Sequence, residues 1–518
     1  VGVAITAGKL GIGFTDTNVK IGNTALDSLT TGTNNVGVGQ EALTASTTGY
    51  RNVAVGVRAA KTITTGNSNV AIGYECLEFT TTGSQNVAVG HQALEANTTA
   101  DGNVAIGNAA MVSNTTGNNN IAIGAMALDA NTTGSQSIAI GSNALGSQNA
   151  DVKNVAVGYR ALQGTTSGTS NVGMGRDVLY TNTTGSYNIA IGNDALGNNT
   201  TANNNVAVGY NCLGANTTGA GSVALGYEAL VANTTGSGCV AIGFRALKTS
   251  TTNTDNVAVG YEALEACTSG KNVAVGWNAL KADSGAVYCT ALGFDALAHQ
   301  TGTRSHNTAV GNRAMQAVVT ANSNTAVGSE CMYSSTTGEQ NAAVGKGALY
   351  TNTTGSNNVA IGKDALYLNT TGSTNIAVGR SALAQNTTAS NNVAIGDNSL
   401  NANTTGGENT ALGHQSLQTA VTDNANTAIG YRALESANGA GYCTAVGSRS
   451  LEDTTTGDNN TAVGYNALHA NTEGTNSVAV GYGALTAQTT GGINAAVGYQ
   501  AMAACTTGYY SVAVGAYA

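Results

Sequence analysis

The chain has 518 residues and a formal net charge of −9, and only 9% of its residues are charged, whereas 42% are hydrophobic. With 19 Lys and Arg and no basic cluster, this composition argues against a nucleic-acid-binding surface. No stretch approaches the roughly 18 consecutive apolar residues that a membrane span needs, so we expect no membrane insertion.

The first 21 residues form an irregular leading segment. This segment starts "VGVAITAGKLGIG", without an initiator Met or a basic region before an apolar stretch, and we therefore expect no signal peptide. "LGIG" at 10–13 is a partial copy of a motif that recurs along the remaining chain. The sequence resembles an excerpt from a longer protein.

Residues 22–518 form a single array of repeats, each marked by the glycine that closes a phrase such as "NVAVG". We call this residue the motif Gly and give each position in a repeat as the number of residues before or after it. There are thirty motif glycines, and their spacing is 17 from Gly22 to Gly260 and again from Gly311 to Gly515, with Gly276 and Gly293 between the two runs. Between these two runs the steps are 16, 17 and 18, which predicts a local bulge or bend within 260–311.

Each repeat begins with a predicted β-strand. An aliphatic residue or Met precedes the motif Gly, Val or Ile usually stands three before it, and Ala lies between them in 27 of 30 copies. Such alternation is typical of a short buried strand. The following "YEALEA" segment is too short for an isolated helix and predicts a second strand or a tight corner. "NTTG" then predicts a turn.

One repeat cannot bury its own apolar face, whereas stacked repeats can. We therefore predict an all-β fold, a parallel β-solenoid of about thirty rungs of 17 residues. At about 4.8 Å per strand, such a rod would be on the order of 140 Å long. The chain contains no proline, as expected if every rung must donate backbone N–H groups to the neighbouring rung, because proline has no N–H to donate. Asn occurs four residues before the motif Gly in 23 copies, which predicts an amide ladder.

The phrases "NVAIG", "SVALG" and "NTAVG" resemble the head repeats of YadA-like trimeric autotransporter adhesins, and equally the repeat regions of bacteriophage and viral tail fibres. The resemblance covers essentially the whole chain, although the 17-residue period and the longer turn depart from the adhesin heads. It implies a left-handed β-roll, assembled as a homotrimer and displayed outside a cell or on a virion.

The alanine between the two aliphatic residues suggests an oligomer interface. If Val and Ile fill the interior, this Ala faces the other way, and a position kept so small indicates a closely packed backbone. The candidate interface residues are Ala88, Ala105, Ala122 and Ala139. The alternative is that the chain's own return segment covers this face.

The residue after the motif Gly is often aromatic. In six successive rungs it is Tyr210, Tyr227, Phe244, Tyr261, Trp277 and Phe294. These rings could form a surface stripe on which sugars stack, or a structural ladder of rings packed on rings.

No catalytic or metal-binding motif is recognisable. The five histidines have no Cys or acidic partners at ligand spacing, and no nucleophile elbow, phosphate-binding loop or paired-carboxylate motif occurs. The eight cysteines never share a column in neighbouring rungs, which indicates buried free thiols rather than disulfides. We expect no enzyme activity, no cofactor and no metal site.

These patterns predict a structural and adhesive extracellular fibre shaft, on a virion or a cell surface, that projects a binding tip. Its partners would be further copies of itself and a cell-surface glycan or receptor. A self-assembling filament or matrix subunit is an alternative, because "SVAVGAYA" ends the sequence in mid-repeat without a polar cap, although truncation explains the same ending. A glycan-binding module that uses the aromatic stripe is a third candidate.

Overall fold

The computed structural model describes residues 12–15, 17–303 and 305–518. These residues fall into two compact units, with the boundary between Asn256 and Val257. Both units are all-β and are built as a parallel β-solenoid. The two units together contain about 29 turns, and each turn has about 17 residues. Residues 10 and 11 of the partial motif at 10–13, and residues 1–11 and 16 of the leading segment, lie outside the described residues.

Almost every strand has three residues and ends directly before a motif Gly. The first unit contains β1 Ile12–Thr15, β2 Asn18–Ile21, β3 Val36–Val38, β4 Val53–Val55, β5 Val70–Ile72, β6 Val87–Val89, β7 Val104–Ile106, β8 Ile121–Ile123, β9 Ile138–Ile140, β10 Val155–Val157, β11 Val172–Met174, β12 Ile189–Ile191, β13 Val206–Val208, β14 Val223–Leu225 and β15 Val240–Ile242. The second unit contains β16 Val257–Val259, β17 Val273–Val275, β18 Thr290–Leu292, β19 Thr308–Val310, β20 Thr325–Val327, β21 Ala342–Val344, β22 Val359–Ile361, β23 Ile376–Val378, β24 Val393–Ile395, β25 Thr410–Leu412, β26 Thr427–Ile429, β27 Thr444–Val446, β28 Thr461–Val463, β29 Val478–Val480, β30 Ala495–Val497 and β31 Val512–Val514.

The strands of neighbouring rungs are parallel and in register. In the first unit Ala88 of β6 pairs with Ala105 of β7, and every further pair up to β15 repeats this alignment. β1 is the exception, because it pairs antiparallel with β2. Equivalent residues therefore stack above one another, which turns each column of the sequence into a row along the solenoid axis.

The segment after the motif Gly forms a tight corner rather than a second strand. Its second and fourth residues have positive φ, as shown by Gln92 at 54° and Leu94 at 53°. The Leu94 amide nevertheless donates to the Ala110 carbonyl of the next rung at 3.0 Å, and its side chain is fully buried. Of the two alternatives for "YEALEA", the corner that carries its Leu inward is confirmed.

The alanines of the strands face the interior of their own chain. Ala88, Ala105, Ala122 and Ala139 are each 0% exposed, whereas the aliphatic residues on either side are half-buried or exposed. A Cβ added at Gly173, which occupies the same column, would lie only 2.3 Å from Leu162 Cδ1 of the preceding rung. The interior is too narrow for a larger residue because the chain's own leucine corner fills it.

This orientation corrects the sequence interpretation. The strand predicted from the alternation is confirmed, but the prediction that Val and Ile fill the interior is wrong, because the alanines face inward. The return segment of the same chain covers the alanines, as the alternative had it. Ala88, Ala105, Ala122 and Ala139 are therefore core residues and have no surface to offer a partner.

Two columns of buried amides satisfy the polar groups beside this small core. In the column four before the motif Gly, Asn103 Oδ1 accepts from the Asn120 backbone amide at 2.9 Å, and Asn120 Nδ2 donates to the Gly134 carbonyl at 2.8 Å. In the column seven after it, Asn131 Nδ2 donates to Asn114 Oδ1 at 2.9 Å. Such satisfied networks remove the penalty of buried polar atoms.

The irregular spacings within 260–311 leave the strands in register. Val257 pairs with Val273 across the short step, and Thr290 pairs with Thr308 across the long one. The missing or extra residue therefore falls in the connection between strands. Residue 304, within the longer connection, lies outside the described residues.

Candidate functional site

An apolar strip, which we call the outer apolar face, recurs on the surface of both units. It consists of the residues one and three before each motif Gly. Ile72, Ile106 and Ile361 are 41%, 38% and 43% exposed. Because the alanine between these residues points inward, the residues on either side of it face outward. The one directly before the motif Gly is aliphatic or Met in every repeat, whereas the one three before it is Thr in seven repeats and Ala in two repeats of the second unit. Long exposed apolar strips of this kind mark sites of protein interaction.

The six residues of the predicted aromatic stripe lie on the surface, at the start of the corner. In the first unit Tyr210 and Tyr227 stack with ring centroids 5.2 Å apart, and Tyr227 and Phe244 stack at 5.4 Å. In the second unit Tyr261 and Trp277 stack at 4.2 Å. The remaining member, Phe294, is 43% exposed.

The rings of this stripe turn their faces toward one another. Interplanar angles of 15° and 12° in the first unit show that each ring lies nearly flat on its neighbour. A sugar stacks on the face of an aromatic ring, whereas this arrangement leaves mainly the ring edges toward solvent. A second stacked column, Tyr333, Tyr350 and Tyr367, stands five residues after the motif Gly and was not singled out from the sequence.

The cysteines are free, and all except the half-buried Cys505 are buried. Burial raises the pKa of the Cys76 and Cys331 thiols to about 12. These thiols remain protonated at neutral pH and lack the thiolate that a nucleophile or a metal ligand requires.

Three carboxylates converge on the corner face of the first unit, a group that we call the acidic cluster: Glu75, Glu78 and Glu95. One oxygen of each lies within 4.8 Å of the others. Glu75 accepts from Arg58 Nη1 at 3.0 Å and from Gln92 Nε2 at 3.3 Å. Glu78 is only 6% exposed, and its carboxylate has no hydrogen-bond or ion-pair partner among the described residues.

The environment of the acidic cluster opposes its negative charge. Burial, followed by the neighbouring Glu75 charge, raises the pKa of Glu78, and the same two influences raise the pKa of Glu95. The pKa of Glu75 is lowered, mainly by hydrogen bonding from Tyr74, with Arg58 as a further contributor. The cluster therefore contains one carboxylate that is paired with Arg58 and two for which the structure shows no ion pair among the residues it describes, although Arg58 and Lys61 favour the charged form of Glu78.

Elsewhere a lysine occupies the position of Glu95. Glu95 stands five residues after its motif Gly, one rung beyond Glu75. In the second unit the equivalent residue is Lys281, whose Nζ lies 2.5 Å from Glu262 and 3.8 Å from Glu265. Glu262 and Glu265 are the counterparts of Glu75 and Glu78, so a single ammonium group there lies near both carboxylates and offsets one of their two negative charges.

The acidic cluster does not follow from the histidine positions or from carboxylate pairs within one segment, and the sequence analysis did not predict it. The signal was present in the columns: glutamates occupy the second and fifth positions of one repeat and the fifth position of the next. Only the spacing of the rungs brings Glu95 beside Glu78.

No protein-family model matches the sequence, and no curated protein matches it significantly. Among the described residues, no helix combines the length and apolar character that crossing a membrane would require.

Proposed function

We propose that the chain forms the shaft of an extracellular trimeric fibre, displayed on a virion or a cell surface, with binding carried by a tip. In this proposal the solenoid is left-handed, as in the adhesin and tail-fibre repeats that the sequence resembles. The shaft acts mechanically, by holding its tip at a distance, and has no catalytic role.

The outer apolar face carries this proposal. Its aliphatic or Met residue directly before the motif Gly recurs in every repeat, with side chains such as Ile140 and Val344 that are 36% and 43% exposed. A row that repeats at the strand spacing is matched along its length only by a surface with the same repeat. Another copy of this chain has that repeat, and packing three copies through these faces would remove the apolar strips from water.

A glycan-binding role is less well supported. Tyr210 and Phe244 stack on the two faces of Tyr227, so neither face of Tyr227 is open to a sugar, and its two neighbours each have one face covered. Such stacking stabilises a ladder by about 0.5–1.5 kcal/mol per pair, which accounts for the stripe without a ligand.

The mass of the assembly in dilute native solution, measured by light scattering after size exclusion, tests the proposal. We expect a value near three times the chain mass of 51.2 kDa. A monomer would contradict the trimer, and masses that increase without limit as the concentration rises would favour the self-assembling filament instead.

Substitutions on the outer apolar face identify the interface. Replacing Ile72, Ile106, Ile140 and Ile361 together by Lys would bury four charges between chains, and we expect dissociation toward monomers. The matched control replaces four exposed turn threonines by Lys, at Thr82, Thr133, Thr184 and Thr456, and should remain trimeric. An unchanged mass in the isoleucine variant would exclude this face as the interface.

A further inference from the structure

We propose that the acidic cluster of Glu75, Glu78 and Glu95 binds one calcium ion. The three carboxylate oxygens lie within 4.8 Å of one another, and ligands of a single Ca²⁺ at about 2.3–2.6 Å can be up to about 5.2 Å apart. Ca²⁺ accepts irregular sets of carboxylate and water oxygens, which suits three glutamates on a partly open corner.

The burial of Glu78 is the observation that points to a ligand. A carboxylate this deeply buried normally has an ion-pair or hydrogen-bond partner, because desolvation of an unpaired charge costs several kcal/mol. Glu78 is 6% exposed and has no such partner among the described residues, and its oxygen points into the space shared with Glu75 and Glu95.

The second unit shows where positive charge is needed. The glutamates at the equivalent positions, Glu262 and Glu265, both lie near the Lys281 ammonium. Two further rungs use the same device, with Lys61 beside Glu41 at 2.8 Å and Lys248 beside Glu228 at 4.0 Å. At Glu95 a carboxylate replaces that lysine, which exchanges a built-in cation for a further oxygen ligand.

The nearby cations Arg58 and Lys61 favour the charge of Glu78 from a distance, but their ion pairs are made with other glutamates. Arg58 is bound to Glu75 on one side and lies 3.5 Å from Glu41 on the other. Lys61 is bound to Glu41. With Arg58 included, the three carboxylates retain a net charge of −2, which a divalent ion would balance.

Titration of the full-length chain with Ca²⁺, after removal of metal ions, tests the proposal by isothermal calorimetry. We expect one ion per chain for the wild-type protein, together with a calcium-dependent rise in thermal stability. In Glu95→Lys the new ammonium should bridge Glu75 and Glu78 as Lys281 does in the second unit, so this variant should fold without calcium and lose at least 100-fold in affinity.

The reciprocal variant, Lys281→Glu, recreates three converging glutamates in the second unit and should add a second calcium site. Circular dichroism shows whether each variant is folded. The absence of calcium-dependent heat in the wild-type protein would overturn the proposal, as would an affinity that Glu95→Lys leaves unchanged.

Discussion

At the scale of single residues, the fold depends on backbone conformations that side chains normally avoid. Leu128 has a φ of 54°, a conformation that costs a non-glycine residue about 1–3 kcal/mol. Its amide donates to the Ala144 carbonyl at 2.9 Å, and its side chain is completely buried. The axial hydrogen bond and the burial together offset the strain, and they recur at nearly every corner.

The motif glycines are the residues least able to change. Gly124 has a φ of 135°, and a Cβ there would lie 2.6 Å from the Gly141 carbonyl carbon and 2.7 Å from its oxygen. We expect Gly124→Ala to destabilise the first unit by at least about 3 kcal/mol, because strain adds to backbone overlap. Hydrogen exchange should show the loss at the neighbouring rungs, as contacts in a solenoid are local.

Gly221 provides a matched control for that substitution. It also has a positive φ, 68°, but no atom lies within 4 Å of an added Cβ. Gly221→Ala should therefore cost only about 1 kcal/mol, the price of the left-handed conformation alone. Equal losses in the two variants would show that contact between rungs is not what selects the motif Gly.

At the scale of elements, a longer side chain in one amide column accompanies a shorter one in the other. Gln replaces the usual residue seven after the motif Gly in three rungs, and in each of them the Asn four before that Gly is Ser or Cys. Gln148 Nε2 donates to Ser137 Oγ at 2.8 Å, and Gln488 Nε2 donates to Ser477 Oγ at 3.2 Å. The longer glutamine side chain reaches the serine hydroxyl, which lies further away than the side-chain amide of the usual asparagine would.

This pairing predicts non-additive substitutions. Gln148→Asn should destabilise the first unit by about 1 kcal/mol, because Ser137 loses a buried hydrogen bond. Adding Ser137→Asn restores the common Asn–Asn arrangement and should recover most of that loss. A double-mutant cycle from urea unfolding measures the coupling, and purely additive effects would contradict the compensation.

The period, the strands and the turns could be predicted because each follows from local residue patterns. The direction in which each strand faces could not. Alternation reveals two faces, but Val87, Ala88 and Val89 are all apolar, and choosing the inner one requires the width of the rung. The positive φ of the corner leucines could not be predicted either, because the local backbone preference of leucine opposes it and only hydrogen bonds and packing to the neighbouring rung stabilise it.

The features of the candidate site also divide into those that the sequence predicts and those that depend on how the rungs stack. The aromatic column was visible as a column, whereas the stacking of its faces depends on side-chain orientation. The acidic cluster depends on Glu95 lying beside Glu78, a contact between residues 17 apart that has meaning only once the rung length is known. Lys281, which occupies the position of Glu95 in the second unit, places a positive charge beside Glu262 where the first unit has a third carboxylate.

At the scale of the whole molecule, stability is distributed evenly along each unit. Val104 donates to Asn120 of the following rung at 2.9 Å, while Gly107 donates to Val89 of the preceding one at 2.8 Å. Neighbouring rungs thus hold each other by the same bonds throughout. In such a system stability is close to a sum over rungs and their contacts.

In-register stacking of equivalent residues also bears on how the gene can change. Removal of residues 107–123, one complete rung, would join Ile106 to Gly124 and recreate every column. We expect that deletion to leave a folded chain with nearly unchanged thermal stability, whereas removal of residues 107–114 alone should unfold the adjoining rungs. Circular dichroism and limited proteolysis distinguish these results, and equal damage from both would refute the argument. Unequal recombination in steps of 51 nucleotides could therefore lengthen or shorten this protein while its local structure stays the same.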